Sequence, residues 1–331
     1  MMNKQLFLMF IIMNILSACN SPNTSPKPIN LEGAVAALPL QEIDFLKDYT
    51  ISNEKYGTKT EVILKDGQRV MQTNALPNHP TGKFPNPNCP NGITPQNETY
   101  NIPVKPTLSG ESKWTWRPGI AVNGIFFEPE TAEKFVCETG QVYKIEAFQD
   151  LVNLGLDFNH AHVQPTGAYH YLGIPVDLVK ELDKGEDLIM VGFALDGFPI
   201  YCSKSGKYKP SFRLSDEPRT GDACSYRTPK VNIEENLQGT NPNGTFVSDW
   251  VYEAGLGQLD ECNGIEVNGT YAYFVTKEYP YMSRCLKGVF KGIERKGPPP
   301  HRHGPPPPNG KKPPKGDGHK HGPGHDHNHD H

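Results

Sequence analysis

The sequence lacks most of the short motifs that identify common enzyme classes. It has no Gly-X-Ser-X-Gly elbow, which argues against an α/β hydrolase, and no glycine-rich phosphate loop of the dinucleotide-binding or Walker type. It also has no Cys-X-X-Cys pair, which argues against a zinc-thiolate knuckle. Because the formal net charge is only −4, the chain carries no strong basic field, and we expect no nucleic-acid partner.

Residues 1–18 have the pattern of an export signal. Lys4 precedes an apolar run that is short for a membrane span, and the run ends in small residues before Cys19. This ending, Leu-Ser-Ala-Cys, resembles a bacterial lipobox, and the resemblance implies cleavage before Cys19 and lipidation of its thiol, with palmitate expected. An ordinary signal peptide cleaved nearby is the alternative. We expect a protein of the cell envelope, exported and lipid-anchored to a membrane on the periplasmic or cell-surface side.

Two segments that flank the predicted domain have compositions unsuited to a packed core. Residues 19–54 begin with a polar stretch rich in Pro, Ser and Asn, which predicts a lipidated N-terminus and tether. Residues 296–331 are rich in Pro, Gly and His and are predicted to form a disordered tail. Histidine-rich tracts bind divalent metals weakly, and a purely solubilising tail is the alternative. The histidines expected to capture metal are His319, His321, His325, His327, His329 and His331.

Residues 55–295 are predicted to form one domain that is mainly β with a few short helices. Hairpins are indicated at Asp66-Gly67, Asn123-Gly124 and Asp196-Gly197, each between two apolar or alternating runs. Short helices are predicted over residues 129–135, 146–154 and 175–182. We therefore expect a β-rich α+β fold stabilised by disulfides.

Seven cysteines occur, and six remain once Cys19 is assigned to the lipid: Cys89, Cys137, Cys202, Cys224, Cys262 and Cys285. An even number in an exported chain predicts disulfides. Pairs that are near in sequence, Cys202 with Cys224 and Cys262 with Cys285, are the expected partners.

The stretch from Leu154 to Pro175 carries three histidines, His160, His162 and His170. A Pro-Thr-Gly turn at 165–167 predicts a hairpin that would gather the three imidazoles on one face. Imidazole nitrogen and carboxylate oxygen suit zinc, copper, manganese or iron, and the candidate carboxylates are Asp157 and Asp196. We favour zinc or copper as the bound divalent transition metal.

Three functions stay open at this point. The favoured hypothesis is a membrane-anchored lipoprotein that binds a divalent metal through the histidine cluster. The second is a metal-dependent enzyme acting on polysaccharide or another envelope polymer. In the third, a structural or adhesion module without metal, the Tyr-His-Tyr run at 169–171 is an internal aromatic seam with a hydrogen-bonded imidazole.

The second half of the domain contains an echo of the histidine stretch. GAYHYLGIP at 167–175 resembles GTYAYFVTKEYP at 269–280, and DGFPIYC at 196–202 resembles EYPYMSRC at 278–285. The echo indicates either a duplicated half-domain or shared strand patterns. If it is a duplication, Ala272 occupies the position of His170.

Several segments together resemble the YHYH-domain family of exported proteins. They are AVNGIFFEP (121–129), LDFNHAHVQPTGAYHYLGIP (156–175), VGFALDGFPIY (191–201), GLGQLDECNG (255–264) and TYAYFVTKEYPYMSRCLKG (270–288). The chain departs from the family pattern at Leu172, where the second His of the Tyr-His-Tyr-His run is expected. The resemblance implies the domain type and an exported protein, and it implies no particular reaction.

Overall fold

The computed structural model describes residues 39–292, and short strands dominate this part of the chain. Its one α-helix, α1, is Val176–Leu182, and its two 3₁₀ helices are Leu40–Glu42 and Val247–Asp249. The strands are β1 (Tyr49–Asn53), β2 (Thr58–Lys65), β3 (Gln68–Thr73), β4 (Glu98–Pro103), β5 (Leu108–Trp114), β6 (Gly119–Ala121), β7 (Phe126–Phe127), β8 (Lys134–Cys137), β9 (Val142–Lys144), β10 (Ala161–Val163), β11 (Tyr169–Tyr171), β12 (Leu188–Ala194), β13 (Pro199–Ser203), β14 (Phe212–Leu214), β15 (Cys224–Arg227), β16 (Asn232–Glu235), β17 (Trp250–Tyr252), β18 (Gly264–Val267), β19 (Thr270–Val275) and β20 (Cys285–Gly288). The predicted β-rich fold is confirmed.

The first sheet is an antiparallel meander in the order β1-β2-β3-β4. The β2–β3 hairpin turns at Asp66-Gly67, as predicted, and both residues have a positive φ, of 51° and 73°. A two-residue turn with two positive φ angles matches the twist of the flanking strands. The sheet starts at Tyr49, so it includes residues that the sequence assigned to the tether.

The central sheet has eight strands in the order β10-β11-β7-β6-β12-β13-β19-β18. Antiparallel pairing of β6 with β12 joins its two halves. On one side of this junction the Val122 N–H donates to the Val191 carbonyl (3.0 Å), and on the other the Leu195 N–H donates to the Pro118 carbonyl (2.9 Å). The junction therefore has the reciprocal bonding of an approximate twofold axis.

The hairpins on either side of the junction have the same turn. In the first, the N–H of Ala121 donates to the carbonyl of Ile125 (2.8 Å), and in the second that of Ala194 donates to the carbonyl of Phe198 (2.8 Å). Gly124 and Gly197 follow with positive φ angles of 87° and 95°. The hairpins predicted at Asn123-Gly124 and Asp196-Gly197 are thus confirmed, and they are equivalent to each other.

The outer strand pairs are equivalent too, because each begins with an aspartate turn. The N–H of Asp157 donates to the Ala161 carbonyl (2.8 Å), and that of Asp260 donates to the Gly264 carbonyl (2.9 Å). Beyond each turn, Leu172 and Phe274 occupy matching positions, since each donates to the carbonyl of the residue before β10 or β18.

The tyrosines of the two outer pairs also match. Tyr169 donates to Asp157 and Tyr271 donates to Asp260, each over 2.8 Å. The echo between 167–175 and 269–280 is therefore a repeat in three dimensions. The second echo was misassigned, because the hairpin of DGFPIYC matches that of AVNGIFFEP rather than EYPYMSRC.

Smaller sheets surround the central one. The largest has the order β16-β15-β8-β9, and two-stranded sheets form from β14 with β17 and from β5 with β20. The four-stranded β16-β15-β8-β9 sheet has its own core around Phe135 and Phe246, whose rings lie 5.6 Å apart. A cleft therefore remains between this sheet and the edge strand β10.

Disulfides join Cys137 to Cys224 and Cys262 to Cys285. The predicted Cys202–Cys224 bridge is wrong, because Cys224 lies directly opposite Cys137 in the β15–β8 ladder. Cys202 is a buried free thiol in the central sheet, and Cys89 is also free and buried. Strand pairing, rather than nearness in sequence, decides which cysteines meet.

Local pattern alone misplaced two of the predicted helices. Helix α1 confirms the prediction over 175–182, whereas 129–135 and 146–154 form bends, extended chain and the start of β8. Among residues 39–292, no helix is long and apolar enough to cross a membrane. The predicted signal (1–18), Cys19 and the predicted tail (296–331) lie outside the described residues.

We expect replacement of both Cys137 and Cys224 by alanine to lower the free energy of unfolding by about 4 kcal/mol. The bridge closes a loop with a sequence separation of 87 residues, and long loops give the largest entropic effect on the unfolded chain. Urea denaturation of the oxidised variant and wild type measures the difference. Peptide mapping that instead recovers a Cys202–Cys224 bridge would contradict this pairing.

Candidate functional site

The predicted hairpin at the histidine stretch is confirmed. Its loop is closed by the Gly167 N–H, which donates to the Gln164 carbonyl (2.8 Å), and Gly167 has a positive φ of 83°. His162 of β10 lies directly opposite His170 of β11. Directly opposed residues project on the same face of a sheet, and the two imidazole centroids are 4.7 Å apart.

Backbone carbonyls fix the orientation of both rings. The Nδ1 atom of His162 lies 3.3 Å from the Leu154 carbonyl, and that of His170 lies 3.4 Å from the Ala168 carbonyl. A carbonyl only accepts, so each Nδ1 carries the proton and each Nε2 keeps a lone pair. Neither Nε2 has a hydrogen-bond partner among residues 39–292. A metal-binding imidazole has the same arrangement.

The surroundings keep both imidazoles neutral. Burial lowers the pKa of His162, and burial together with the neighbouring His162 and Arg117 holds the pKa of His170 well below its ordinary value. The Phe126 ring stacks on His170 with a centroid distance of 5.3 Å, and the Arg117 guanidinium lies 3.4 Å from the centroid of Phe126. The lone pairs are therefore available at neutral pH.

The two imidazoles line a cleft of about 560 Å³ between the central sheet and the β16-β15-β8-β9 sheet. Glu133 lines the same cleft, acts electrostatically on His162, and has no salt-bridge partner among the described residues. The free thiol of Cys89 also lines it and donates to the Val163 carbonyl (3.4 Å). Nothing in the sequence pattern singles out Glu133, which precedes β8.

His160 does not join the pair. It precedes β10 with a left-handed backbone (φ 54°), and its Nδ1 lies 2.8 Å from the Ile174 carbonyl. Its ring meets the edge of Phe148, with centroids 5.2 Å apart. The expectation of three imidazoles on one face was therefore wrong for His160, because the strand alternation begins only at the next residue.

The predicted carboxylates bind elsewhere. Asp157 accepts the N–H groups of Asn159 and Gly82 and the hydroxyl of Tyr169. Asp196 is fully buried and accepts from the Tyr273 hydroxyl (2.6 Å) and the Gly288 N–H (2.9 Å). Burial raises the pKa of Asp196. Both side chains hold turns together, and neither is hydrogen-bonded to His162 or His170.

The second half of the sheet places different residues at the position of the pair. Ile265 and Ala272 lie directly opposite each other in β18 and β19, where the first half has His162 and His170. Ala272 is buried with Leu259 in an apolar cluster. The same backbone therefore folds with an aliphatic pair, and its geometry does not require imidazoles.

A buried polar network on the opposite side of β11 escaped the sequence analysis. His79 and Tyr171 are fully buried, and the His79 Nε2 lies 2.6 Å from the Tyr171 oxygen. The Nδ1 of His79 lies 2.8 Å from the Pro80 carbonyl, so Nε2 is the acceptor of the Tyr171 proton. Asn123 donates to the same hydroxyl oxygen (2.9 Å) and to Asn78 (2.8 Å).

This network connects the irregular segment around residue 79 to the central sheet. Asn159 donates to the Pro80 carbonyl (2.9 Å) and accepts the Asp177 N–H at the start of α1 (2.7 Å). Burial lowers the pKa of His79 and raises that of Tyr171. No local signal marks His79, because its partner Tyr171 lies 92 residues away in sequence.

The three residues of β11 thus have three different partners. Tyr169 bonds Asp157, Tyr171 bonds His79, and His170 points to the cleft. A family model described as YHYH protein matches residues 99–288, which is more than half of the chain. The chain belongs to the YHYH family. No curated protein and no solved structure matches it.

The YHYH match spans both halves of the repeat but only the first half carries the Tyr-His-Tyr run. Leu172, which replaces the final His of the run, is fully buried, and its N–H donates to the His160 carbonyl (2.8 Å). Within the described range 39–292, no group of three His, Cys, Asp or Glu side chains is arranged to hold a metal ion. The site thus consists of two paired imidazoles on a cleft.

We expect the free energy of unfolding to decrease, as the pH is lowered, more steeply in wild type than in the variant His79→Gln. Because folding lowers the pKa of His79 below 6.5, the unfolded chain binds the proton more readily, and stability is lost as pH falls through the unfolded value. Between pH 7.5 and 5.5 wild type should lose about 1 kcal/mol more than the variant.

Urea denaturation at both pH values measures this difference. The glutamine still accepts the Tyr171 hydrogen bond but has no titrating group. Contributions from His162 and His170 cancel because both proteins contain them. Parallel pH profiles for the two proteins would show that His79 is not held neutral by the network.

Proposed function

We propose that this YHYH protein is an exported, lipid-anchored binding protein that holds a divalent transition metal, zinc or copper, between His162 and His170. The observation that carries the proposal is the cross-strand pair itself. Each ring turns its protonated Nδ1 to a carbonyl and keeps Nε2 without a partner at the wall of a cleft. Neutral imidazole nitrogen is a preferred ligand of both metals.

The ring spacing fits a shared ion. A metal about 2.0 Å from each nitrogen lies about 3.2 Å from each ring centroid, and two such ligands at roughly tetrahedral or right angles have centroids about 4.5 to 5.2 Å apart. The observed separation of 4.7 Å is within this range. Two protein ligands leave positions open for water or another small ligand, because no third side chain of residues 39–292 is arranged to complete the shell.

The within-chain repeat argues that the imidazoles serve a purpose other than packing. Ile265 and Ala272 show that aliphatic side chains are sufficient for packing at the cross-strand position that His162 and His170 occupy in the first half. Neither Nε2 is among the buried unsatisfied atoms of the described residues, so both can be reached by a ligand in the cleft. The metal-capturing tail histidines from His319 to His331 would raise the local metal concentration at this cleft.

We expect the variant His162→Ile/His170→Ala, which introduces the residues of the second half, to lose stoichiometric metal and keep its fold. Both proteins should be prepared as the full chain with the eight tail histidines replaced by glutamine. After exposure to zinc and desalting, elemental analysis should find about one equivalent in the parent and less than roughly a tenth in the variant.

The matched control is His160→Asn, which introduces the residue of the equivalent position, Asn263. It should keep the metal, because His160 faces away from the pair. Cooperative thermal unfolding confirms that each variant is folded. Equal metal content in the parent and the double variant would place the metal elsewhere, and a metal-free parent would leave the pair as an internal polar contact.

The proposed anchor predicts that Cys19→Ala abolishes lipid attachment. Cells supplied with labelled palmitate should transfer label to the wild-type protein and none to the variant, because no other thiol takes the position after the predicted cleavage site. The variant should also leave the membrane fraction, since the lipid on Cys19 is the proposed anchor. Equal labelling of both proteins would contradict lipidation at Cys19.

A further inference from the structure

A second pocket, of about 620 Å³, opens between α1 and the ends of β11, β13 and β19. Neither His162 nor His170 lines it, so it is separate from the proposed metal site. Its walls are mostly apolar and include Phe148, Ile174, Val176 and Val179. Pockets of this size that combine apolar walls with a few polar groups are typical of sites for small organic ligands.

The shape of this pocket depends on a glycine. A Cβ atom at Gly173 would lie 2.8 Å from the Phe148 ring, closer than real contacts allow. The absent side chain lets Phe148 lie against the backbone and form one wall. The Tyr281 ring packs on Phe148, with centroids 4.4 Å apart, and extends that wall.

Tyr281 also has an unusual backbone. Its φ is +65°, a left-handed conformation that is strained for a bulky side chain. Hydrogen bonds hold it there: its N–H donates to the Glu278 carbonyl (2.9 Å), and its carbonyl accepts from the Thr276 N–H (2.8 Å). Retained strain of this kind clusters at ligand-binding positions.

Three polar groups on the pocket lining have no hydrogen-bond or salt-bridge partner within residues 39–292. They are the Tyr281 hydroxyl, the His160 Nε2 and the Lys277 ammonium. The other lysines of the rim are neutralised, since Lys180 pairs with Asp177 and Lys204 pairs with Asp183, both at 2.7 Å. The pocket thus offers one uncompensated positive charge, on the exposed Lys277 at its rim.

We propose that this pocket binds a monocarboxylate with an apolar body, of the size of a medium-chain fatty acid. The apolar chain would lie against Phe148 and Val179, and the carboxylate would pair with Lys277 at the rim. One free cation matches one negative charge, and the apolar walls offer too few polar partners for a sugar or a phosphate. The proposal does not depend on the metal site.

Decanoate titrated into the full chain, followed by calorimetry, tests the proposal. Decyltrimethylammonium has the same chain length and the opposite charge, so it should bind roughly tenfold more weakly. Lys277→Gln should weaken decanoate about fivefold, because it removes the one unpaired cation. Lys204→Gln is the matched control and should change the affinity less than about twofold, since that lysine already has a carboxylate partner.

A variant that narrows the pocket locates the binding site independently of charge. Val179 lies on the partly exposed face of α1, and Val179→Trp should weaken decanoate while thermal unfolding stays cooperative. The proposal fails if decanoate does not bind or if decanoate and decyltrimethylammonium bind with equal affinity. It also fails if Lys277→Gln and Lys204→Gln change the decanoate affinity equally.

Discussion

Strands β6 and β12 exchange backbone hydrogen bonds at the middle of the eight-stranded sheet, and the architecture of the domain depends on this junction. Val122 and Leu195 donate across it from opposite sides. The strands on the two sides of the junction therefore follow in the same order of pairing. Each half then adds a glycine turn, a parallel neighbour and an outer antiparallel pair. The Cys262–Cys285 bridge links this frame to β20, whereas Cys137–Cys224 lies within the β16-β15-β8-β9 sheet.

The repeated frame carries side chains that are not repeated. At the cross-strand position of the outer pair, the first half has His162 and His170, and the second has Ile265 and Ala272. At the residue before the outer strand, His160 opens on a pocket, whereas Asn263 is buried and donates to the Phe274 carbonyl (2.9 Å). Because the two halves share a backbone but not these side chains, the side chains are not required by the fold. We therefore assign them to the cleft and the pocket.

Local turn chemistry could be predicted from the sequence, and long-range contacts could not. The turns at Asp66-Gly67 and Asn123-Gly124 were predictable because glycine relieves a backbone conformation that other residues resist. The hairpin that brings His162 to His170 followed from the same kind of signal. The Cys137–Cys224 bridge and the contact of His79 with Tyr171 depend on pairings between distant segments, and no short pattern encodes them.

The carboxylates show the same limit at the site. Asp157 and Asp196 were plausible ligands by residue type, yet each is used by its own turn and by a tyrosine from a neighbouring strand. Glu133 reaches the cleft from a different sheet and had no sequence signal. Residue type and local spacing thus predicted that His162 and His170 meet, and failed for His160 and for the carboxylates.

The X-ray absorption spectrum of the zinc-loaded protein, with its tail histidines replaced, tests the central claim most directly. We expect the scattering of two imidazoles, with nitrogen at about 2.0 Å and light-atom ligands completing the shell. A spectrum without imidazole scattering, or one dominated by sulfur at about 2.3 Å, would contradict a metal held between His162 and His170.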